Sequence, residues 1–512
     1  MRYIEGINRK RKITFPEYID DYITEDSAVR VIDEFVMALD IEELGFEKAI
    51  PSEFGRSGYD PRDLLKLYIY GYMNRVTSSR RLEAEATRNI EVIWLLRCLK
   101  PDDKTISDFR KNNKEAIPKV FKQFVSMCKD WNLFGMEVVA IDGSKFRASN
   151  SKKNNFSDKS LARKIKYIDE KIQKYMDETD ANDESEKDIR KPSSEDIKQR
   201  IKELTARKET YEKYKNELKE KDISQISTTD PDSRLMAVNN NGVDVCYNVQ
   251  TVVDSKHCLI VDYDVINNPT DHGQLSKMGK RAKEVFGVEG LKALADKGYY
   301  NTADLKECEL LNIETYVPKQ ESSNSIGDKQ YYHDKFRYDK EENIYVCPAG
   351  QKLYPARIRT LEKVKYRDYK NYRVCKNCEF KDKCTKSDKG RTVSRNFEQE
   401  LLDKVDERTK SNKDLYKKRQ MIVEHPFGTI KRGWGMSYFL TKGLKSVKSE
   451  TSLAFLAYNM KRVINIVGIR QMIKRLEAIK SLSNLYIHNN PIIWVSRRFC
   501  YGKNVLLLNI YP

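Results

Sequence analysis

Two aspartates stand where short apolar runs stop. Val138-Val139-Ala140-Ile141 ends at Asp142-Gly143, and Leu291–Ala295, apolar except for Lys292, ends at Asp296-Lys297-Gly298. Such runs suit buried strands, and in open α/β sheets ligand sites form just past strand ends. One Asp-Gly after a strand is most often a turn; two in the same placement point to a shared site. A third carboxylate, Glu424, lies in the basic stretch Tyr416–Lys431. Wound as a helix, that stretch brings Tyr416, Arg419, Glu424 and Lys431 within an arc of roughly 140°. One side then offers a carboxylate, two cations and an aromatic ring, although Pro426 is expected to kink or restart the helix. Without the two aspartates, the better reading would be a basic amphipathic helix whose charged side meets water.

Three converging carboxylates repel one another unless cations join them. Mg²⁺ is hard and takes oxygen ligands. Two such ions about 4 Å apart activate an attacking oxygen and stabilise a leaving one at a phosphodiester. Asp142, Asp296 and Glu424 therefore read as ligands of two Mg²⁺ ions, with Mn²⁺ able to substitute. Other aspartates compete. Asp254 falls in a predicted hairpin turn, Asp271 looks like a helix cap beside Thr270, and Asp230 and Asp232 read as turn formers that could also lie near the site.

The elements that must position these residues follow from pattern. Residues 1–135 read as a helical domain, with helices starting at Asp60-Pro61, near Ser78-Ser79, and near Thr105 or Ser107, the last running through Cys128. Short helices in series with basic starts suit DNA docking, and plain helical bundles equally. Residues 150–225 read as a charged helical hairpin with a narrow apolar seam. Val245–Val253 and Leu259–Ile266 flank Asp254-Ser255 as a β-hairpin. A helix over Thr270–Phe286, the strand Leu291–Ala295, a helix near Ala303–Leu311 and the strand Ile313–Val317 come next. Residues 320–400 are polar and Cys-rich, and 405–470 return to helix. This is the order of an α/β RNase H-like catalytic core assembled from 136–149, 226–319 and 401–470. It is interrupted by insertions at 150–225 and 320–400 and followed by a tail at 471–512.

The 512 residues allow two to four domains. Lys and Arg number 95 against 77 Asp and Glu, a net charge of +18 that points to a polyanionic partner. No run approaches the roughly 18 apolar residues of a membrane helix, and no apolar core follows the basic start Met1–Lys12. A cytoplasmic protein without a membrane partner is expected. Its ten cysteines are then thiols or metal ligands and not disulfides. Cys347, Cys375, Cys378 and Cys384 could hold a structural Zn²⁺ in a DNA-facing knuckle with Lys352, Lys363, Lys365, Lys376 and Lys381; four metal-free thiols are the alternative. Cys98, Cys128, Cys246, Cys258, Cys308 and Cys500 are scattered and read as structural.

Ile-Asp142-Gly-Ser, Ala-Asp296-Lys-Gly-Tyr and Val-Glu424-His-Pro-Phe-Gly-Thr-Ile-Lys resemble the three blocks of bacterial insertion-sequence DDE transposases, in the branch with a Tyr–Arg–Glu–Lys signature. Cys246-Tyr-Asn-Val-Gln-Thr-Val-Val-Asp254 and Leu456-Ala-Tyr-Asn-Met-Lys461 resemble that branch too, and the likeness spans roughly residues 50–470. The resemblance implies that Asp142, Asp296 and Glu424 bind catalytic metals, while Tyr416, Arg419 and Lys431 hold the phosphates and the flanking strand. The signature places three residues between Arg and Glu, whereas four separate Arg419 from Glu424, so Lys418 is an alternative to Arg419. The implied activity is binding of terminal inverted repeats, cleavage at the element ends and joining of the 3′-hydroxyls to target DNA. A homodimer on DNA, nucleoid-associated, would carry it out. A metal-dependent nuclease without strand transfer and a catalytically silent DNA-binding derivative are the alternatives.

Overall fold

The computed structural model describes residues 18–50, 58–183, 194–238, 242–319, 326–361 and 364–489. The basic start Met1–Lys12, Lys363, Cys500 and residues 490–512 of the predicted tail lie outside these. The chain divides into two compact units, Met1–Val120 with Leu453–Pro512, and Phe121–Ser452. No helix among the described residues is long and apolar enough to cross a membrane.

The first unit is helical. Asp60 caps the helix Pro61–Met73 by accepting from the Arg62 N–H, and Pro61 takes the first helical position, where its missing N–H is not needed. A separate helix runs over Ser79–Arg88. The single helix expected from Thr105 to Cys128 is instead two, Asp103–Asn112 and Ile117–Asp130. Asn113 ends the first of these and its Oδ1 accepts from the Glu47 N–H at 2.7 Å. Pro118 sits in the first turn of the next helix, the one helical place where proline is tolerated. Residues Ile469–Asn489 form a further helix, packed on Ala28–Met37, with Arg470 paired to both Glu25 and Asp26 at 3.1 Å.

The second unit is built on a six-stranded sheet. Its strands are β1 (Val138–Arg147), β2 (Arg234–Val238), β3 (Gly242–Asp254), β4 (Ile260–Ile266), β5 (Leu291–Leu294) and β6 (Ile313–Tyr316). The order is β2-β3-β1-β5-β6, with β4 also paired to β3. β1 runs antiparallel to β3, and β1, β5 and β6 are mutually parallel. Much of the strand interior is Val, Ile, Leu and Ala, as a sheet covered on both faces requires, but Asn248, Gln250 and Thr251 of β3 and Asp262 and Asp264 of β4 are buried among them. The helix Leu275–Phe286 lies on one face, where Lys277 and Arg281 reach Asp264 and Asp262 of β4. The helix Lys413–Phe427 packs on the other, with Phe427 against Phe146 at 6.4 Å.

Two further structures interrupt this unit. The helices Asp158–Asp183 and Ser194–Glu220 form a hairpin whose base is a two-stranded sheet, Asn155–Ser157 with Gln225–Ser227. Phe156, Leu161 and Leu218 make its small core, and Lys164 lies 4.4 Å over the Phe156 ring. Between Arg337 and Asn396 the chain forms a five-stranded antiparallel sheet. Its core is Phe336, Tyr345, Leu353, Tyr369 and Val393.

Candidate active site

β1 does not stop at Asp142; it continues to Arg147 because β3 keeps pairing with it antiparallel. What ends is its parallel neighbour. β1 and β5 pair as Val138↔Lys292, Val139↔Ala293 and Ala140↔Leu294. Continued by two residues, that register sets Asp142 level with Asp296. The two carboxylates therefore flank the notch where β5 leaves β1, a strand-end position of the kind that holds ligands in open sheets. Asp296 turns the chain, its Oδ1 accepting from the Gly298 N–H at 2.8 Å. Asp142 accepts from the Gly143 N–H at 3.0 Å.

The third group at the notch was missed by sequence reasoning. Asp271 does not cap a helix: Leu275–Phe286 starts four residues later with Gln274 at its cap. The Asp271 side chain instead accepts from the amides of Asn248 at 2.8 Å and Gln250 at 2.7 Å, with Lys145 at 3.6 Å. Gly143 makes room for it. A Cβ there would lie 2.6 Å from Asp271 Oδ1 and 2.3 Å from Gln250 Nε2, so any larger residue would push these two side chains out of their present bond. Gln250 in turn accepts from the buried hydroxyl of Tyr299. The one available signal was the Asn248-x-Gln250 spacing, which puts two amides on one face of a strand.

The other aspartates that competed for the role serve the scaffold. Asp254 takes the N–H groups of Gly135, Met136 and Lys256. Asp230 accepts from Tyr247 and from the Gly443 N–H, and Asp232 from the Leu444 N–H at 2.8 Å.

The late helix meets the notch from the opposite face. It runs unbroken through Pro426 and passes at Gly428 into a π-helical turn, Gly428–Gly433, so the expected kink becomes a change of helix type. Arg419 stands 3.9 Å from Asp142, with 19% and 24% of the two side chains exposed; Lys418 is exposed. Tyr416 bonds to Arg419 and lies within the field of Asp142 and Asp296. Lys431 is held inside the protein, donating to Ser144 Oγ at 2.7 Å and to the Lys145 carbonyl at 2.6 Å, 4.4 Å over the Phe146 ring. Burial lowers its ammonium to about 8. Glu424 is exposed, and its side chain accepts from Gln420 at 2.8 Å and not from a group of the notch. The segment after the π-turn secures the arrangement: Arg147 of β1 donates to Ser437 at 3.0 Å and accepts from Phe439 at 2.9 Å.

Burial pushes the Asp142 carboxyl up to about 7, against the pull of Arg419 and with the repulsion of Asp296 and Asp271 adding to it. Among the described residues no three His, Cys, Asp or Glu side chains close on one point as they stand. The donor chemistry nonetheless suits a hard cation: the groups around the notch are carboxylate and amide oxygens, without thiol or imidazole. A basic cavity of about 550 Å³ adjoins Tyr416, lined by Lys319, Lys329, Lys335, Lys410 and Lys413. In the second sheet the four cysteines Cys347, Cys375, Cys378 and Cys384 line a single cavity of about 30 Å³, room for a water-sized species. Burial raises the Cys384 thiol to about 11.

Residues 17–112 match the family described as a transposase domain (DUF772), and residues 346–464 match the family described as a transposase DDE domain. The second match contains Tyr416, Arg419, Glu424, Lys431 and the four clustered cysteines; Asp142 and Asp296 lie outside it. No curated protein matches the sequence. A cryo-EM structure of a piggyBac transposase synaptic complex with hairpin DNA aligns over 91% of this chain and 82% of that one, at 9% identity and a TM-score of 0.30.

The Asp142 shift has a consequence for stability in divalent-free buffer. A carboxyl whose folded pKa is raised binds its proton more tightly in the folded chain. Its contribution is full below 3.8 and is lost as the pH rises through about 7. Denaturant unfolding in EDTA should therefore show Asp142→Asn gaining on the unmodified protein across that window. A difference between the two that stays flat with pH would contradict the placement of Asp142.

Proposed function

We propose that this chain, a transposase of the DDE type by its two family matches, cuts DNA at the ends of its element and joins the 3′-hydroxyls to a target at the Asp142–Asp296 notch. The observation that carries the reading is the level placement of Asp142 and Asp296 on adjacent parallel strands, with Arg419 of the late helix facing them. The order β2-β3-β1-β5-β6, antiparallel on one side of β1 and parallel on the other, supports an RNase H-like core.

Asp142, Asp296 and Glu424 would hold two Mg²⁺ ions, for which Mn²⁺ can substitute. Such ions, when bound, polarise the scissile phosphate and stabilise charge on the attacking and leaving oxygens. Glu424 is the exposed member of the set, its side chain accepting from Gln420. Arg419 and Tyr416 present a fork of N–H donors and a hydroxyl to a phosphate entering the notch. Lys431 acts one step back, fixing the β1 backbone beside Asp142. The run of Tyr416, Arg419, Glu424 and Lys431 along one helix and its π-turn supports the Tyr–Arg–Glu–Lys branch. The lysine-lined cavity next to Tyr416 fits the backbone of the flanking DNA. The N-terminal helical unit recognises the terminal repeats. Two ends must be processed together, so the working form is a homodimer on DNA, at the nucleoid.

Replacing Asp142 or Asp296 by Asn, or Glu424 by Gln, should lower nicking of an end-containing duplex by at least about 10²-fold, roughly 3 kcal/mol of transition-state stabilisation. DNA binding should persist, since a repulsion toward phosphate is removed. Normal cutting by both aspartate variants would end the reading. Normal cutting by Glu424→Gln alone would place the third ligand elsewhere. Pre-cut ends that fail to join to target would reduce the enzyme to a nuclease.

Cys347, Cys375, Cys378 and Cys384, which line one cavity beside the aromatic core of the small sheet, would hold a structural Zn²⁺ once drawn together as thiolates. Elemental analysis of purified protein should then give about one Zn per chain, and Cys375→Ser should lower that content. A metal-free protein of unchanged stability would retire the zinc.

A further inference from the structure

The Asp142–Asp296 notch is closed from its second face by a loop whose chemistry none of the three expected carboxylates accounts for. β1 and β3 pair so that Gly143 and Lys145 share a face with Gln250 and Asn248, while Asp142 points to the face of the late helix. Asp271 enters over Gly143 from the far face. Its Oδ1 is fixed by two amide N–H groups. Its Oδ2 carries no hydrogen bond among the described residues. It lies 3.7 Å from the Cβ position of Gly298, whose other near neighbour is Asp296 Oδ1 at 3.0 Å. One oxygen is thus anchored and the other is presented toward Asp296.

A second, independent feature points the same way. Asn248 is fully buried, and while its amide N–H groups bond to Asp271 and the Asn268 carbonyl, its Oδ1 has no donor. A buried amide oxygen without a partner is unfavourable, because it has given up water and gained no donor. That oxygen is 3.0 Å from the Cβ position of Gly143, the residue after Asp142. The protein therefore keeps an unbonded carboxylate oxygen on the Asp296 side and an unbonded amide oxygen against Gly143, the residue next to Asp142. Lys145, at 3.6 Å, is the cation nearest Asp271, on the anchored Oδ1.

We propose that Asp271 is a fourth carboxylate ligand of the divalent-cation site, oriented by Asn248 and Gln250, with Asn248 Oδ1 facing the same cation. The inference rests on the reading of the notch as a cation site. It adds that the site is built from both faces of the sheet, so that it can take up a cation before the exposed Glu424 is drawn in. Gly143 and the Gln250–Tyr299 bond are then parts of the ligand frame and not of general packing.

The test is Mn²⁺ binding to the full-length, DNA-free protein, followed by electron paramagnetic resonance of free Mn²⁺ and by the rise in Tm that the ion produces. Asp271→Asn should bind Mn²⁺ at least about tenfold more weakly and lose the Mn²⁺-induced rise, while its Tm in EDTA stays at or above that of the unmodified protein. A purely structural Asp271 would instead lower the Tm in EDTA and leave Mn²⁺ affinity alone, which would overturn the proposal. Should Asp271→Asn not fold, Asp271→Ser, which still offers the amides an acceptor, is read by the same criteria. If Asp142→Asn weakens Mn²⁺ binding and the Asp271 variants do not, this inference falls and the cation site stands. If neither position affects Mn²⁺, the cation site itself falls, and the inference with it.

Discussion

Like-charge repulsion in a partly buried notch is the constraint that shapes the sheet unit. Asp142, Asp296 and Asp271 approach one another where β5 leaves β1, and burial plus mutual repulsion hold Asp142 well above the usual carboxylate range. A chain free to relax would separate them. Here each is fixed by an element it cannot leave: Asp142 within a strand paired on its β3 side, Asp296 by its bond to the Gly298 N–H, and Asp271 by the amides of Asn248 and Gln250. Arg419 opposes the accumulated negative charge at Asp142 from 3.9 Å, with the Gly143 N–H and the Lys431 ammonium adding to it. Electrostatic strain of this kind is what a bound cation would relieve.

The late helix depends on the same place for its position. Phe427 against Phe146 and the Lys431 bonds to β1 fix its C-terminal end, while the bridge from Arg147 to Ser437 and Phe439 fixes the chain that follows. Glu450 holds that following chain by accepting from Leu440 and Thr441. The N-terminal half of the helix, by contrast, reaches the notch only through Arg419 and Tyr416. Glu424 lies between the anchored end and the notch-facing residues and is exposed.

The sheet and two of its carboxylates were legible in the sequence because they obey simple rules. Apolar runs of four or five residues that end in Asp mark two of the strands, and the hairpin is visible from β-rich runs on either side of Asp254-Ser255. What was hidden has physical reasons. Asp271 follows Thr270 and precedes a helix, which is the pattern of a cap; its real partners come from a strand more than twenty residues earlier, and local pattern cannot report them. The sheet over 337–396 escaped because its strands are rich in Lys and Arg: Lys352–Leu361 is mostly exposed, and its core is a handful of aromatics. The break at Asn113 was lost in a continuous helical periodicity that only the bond to Glu47 interrupts. Pro426 predicted a kink, but a π-turn two residues later absorbs the strain. The helical arc placed Glu424 with Arg419, yet a shared side of a helix does not determine which residues reach a partner.

The central claim is that divalent cations bind at the notch of Asp142, Asp296 and Asp271. The direct measurement is affinity cleavage of the full-length protein by bound Fe²⁺ with ascorbate and peroxide, which severs the backbone beside the ion, followed by mapping of the fragments. Cuts that Mg²⁺ suppresses should fall next to residues 142, 271 and 296, in three segments far apart in sequence. Mg²⁺-suppressible cuts that leave all three segments intact and fall elsewhere in the chain would contradict the account.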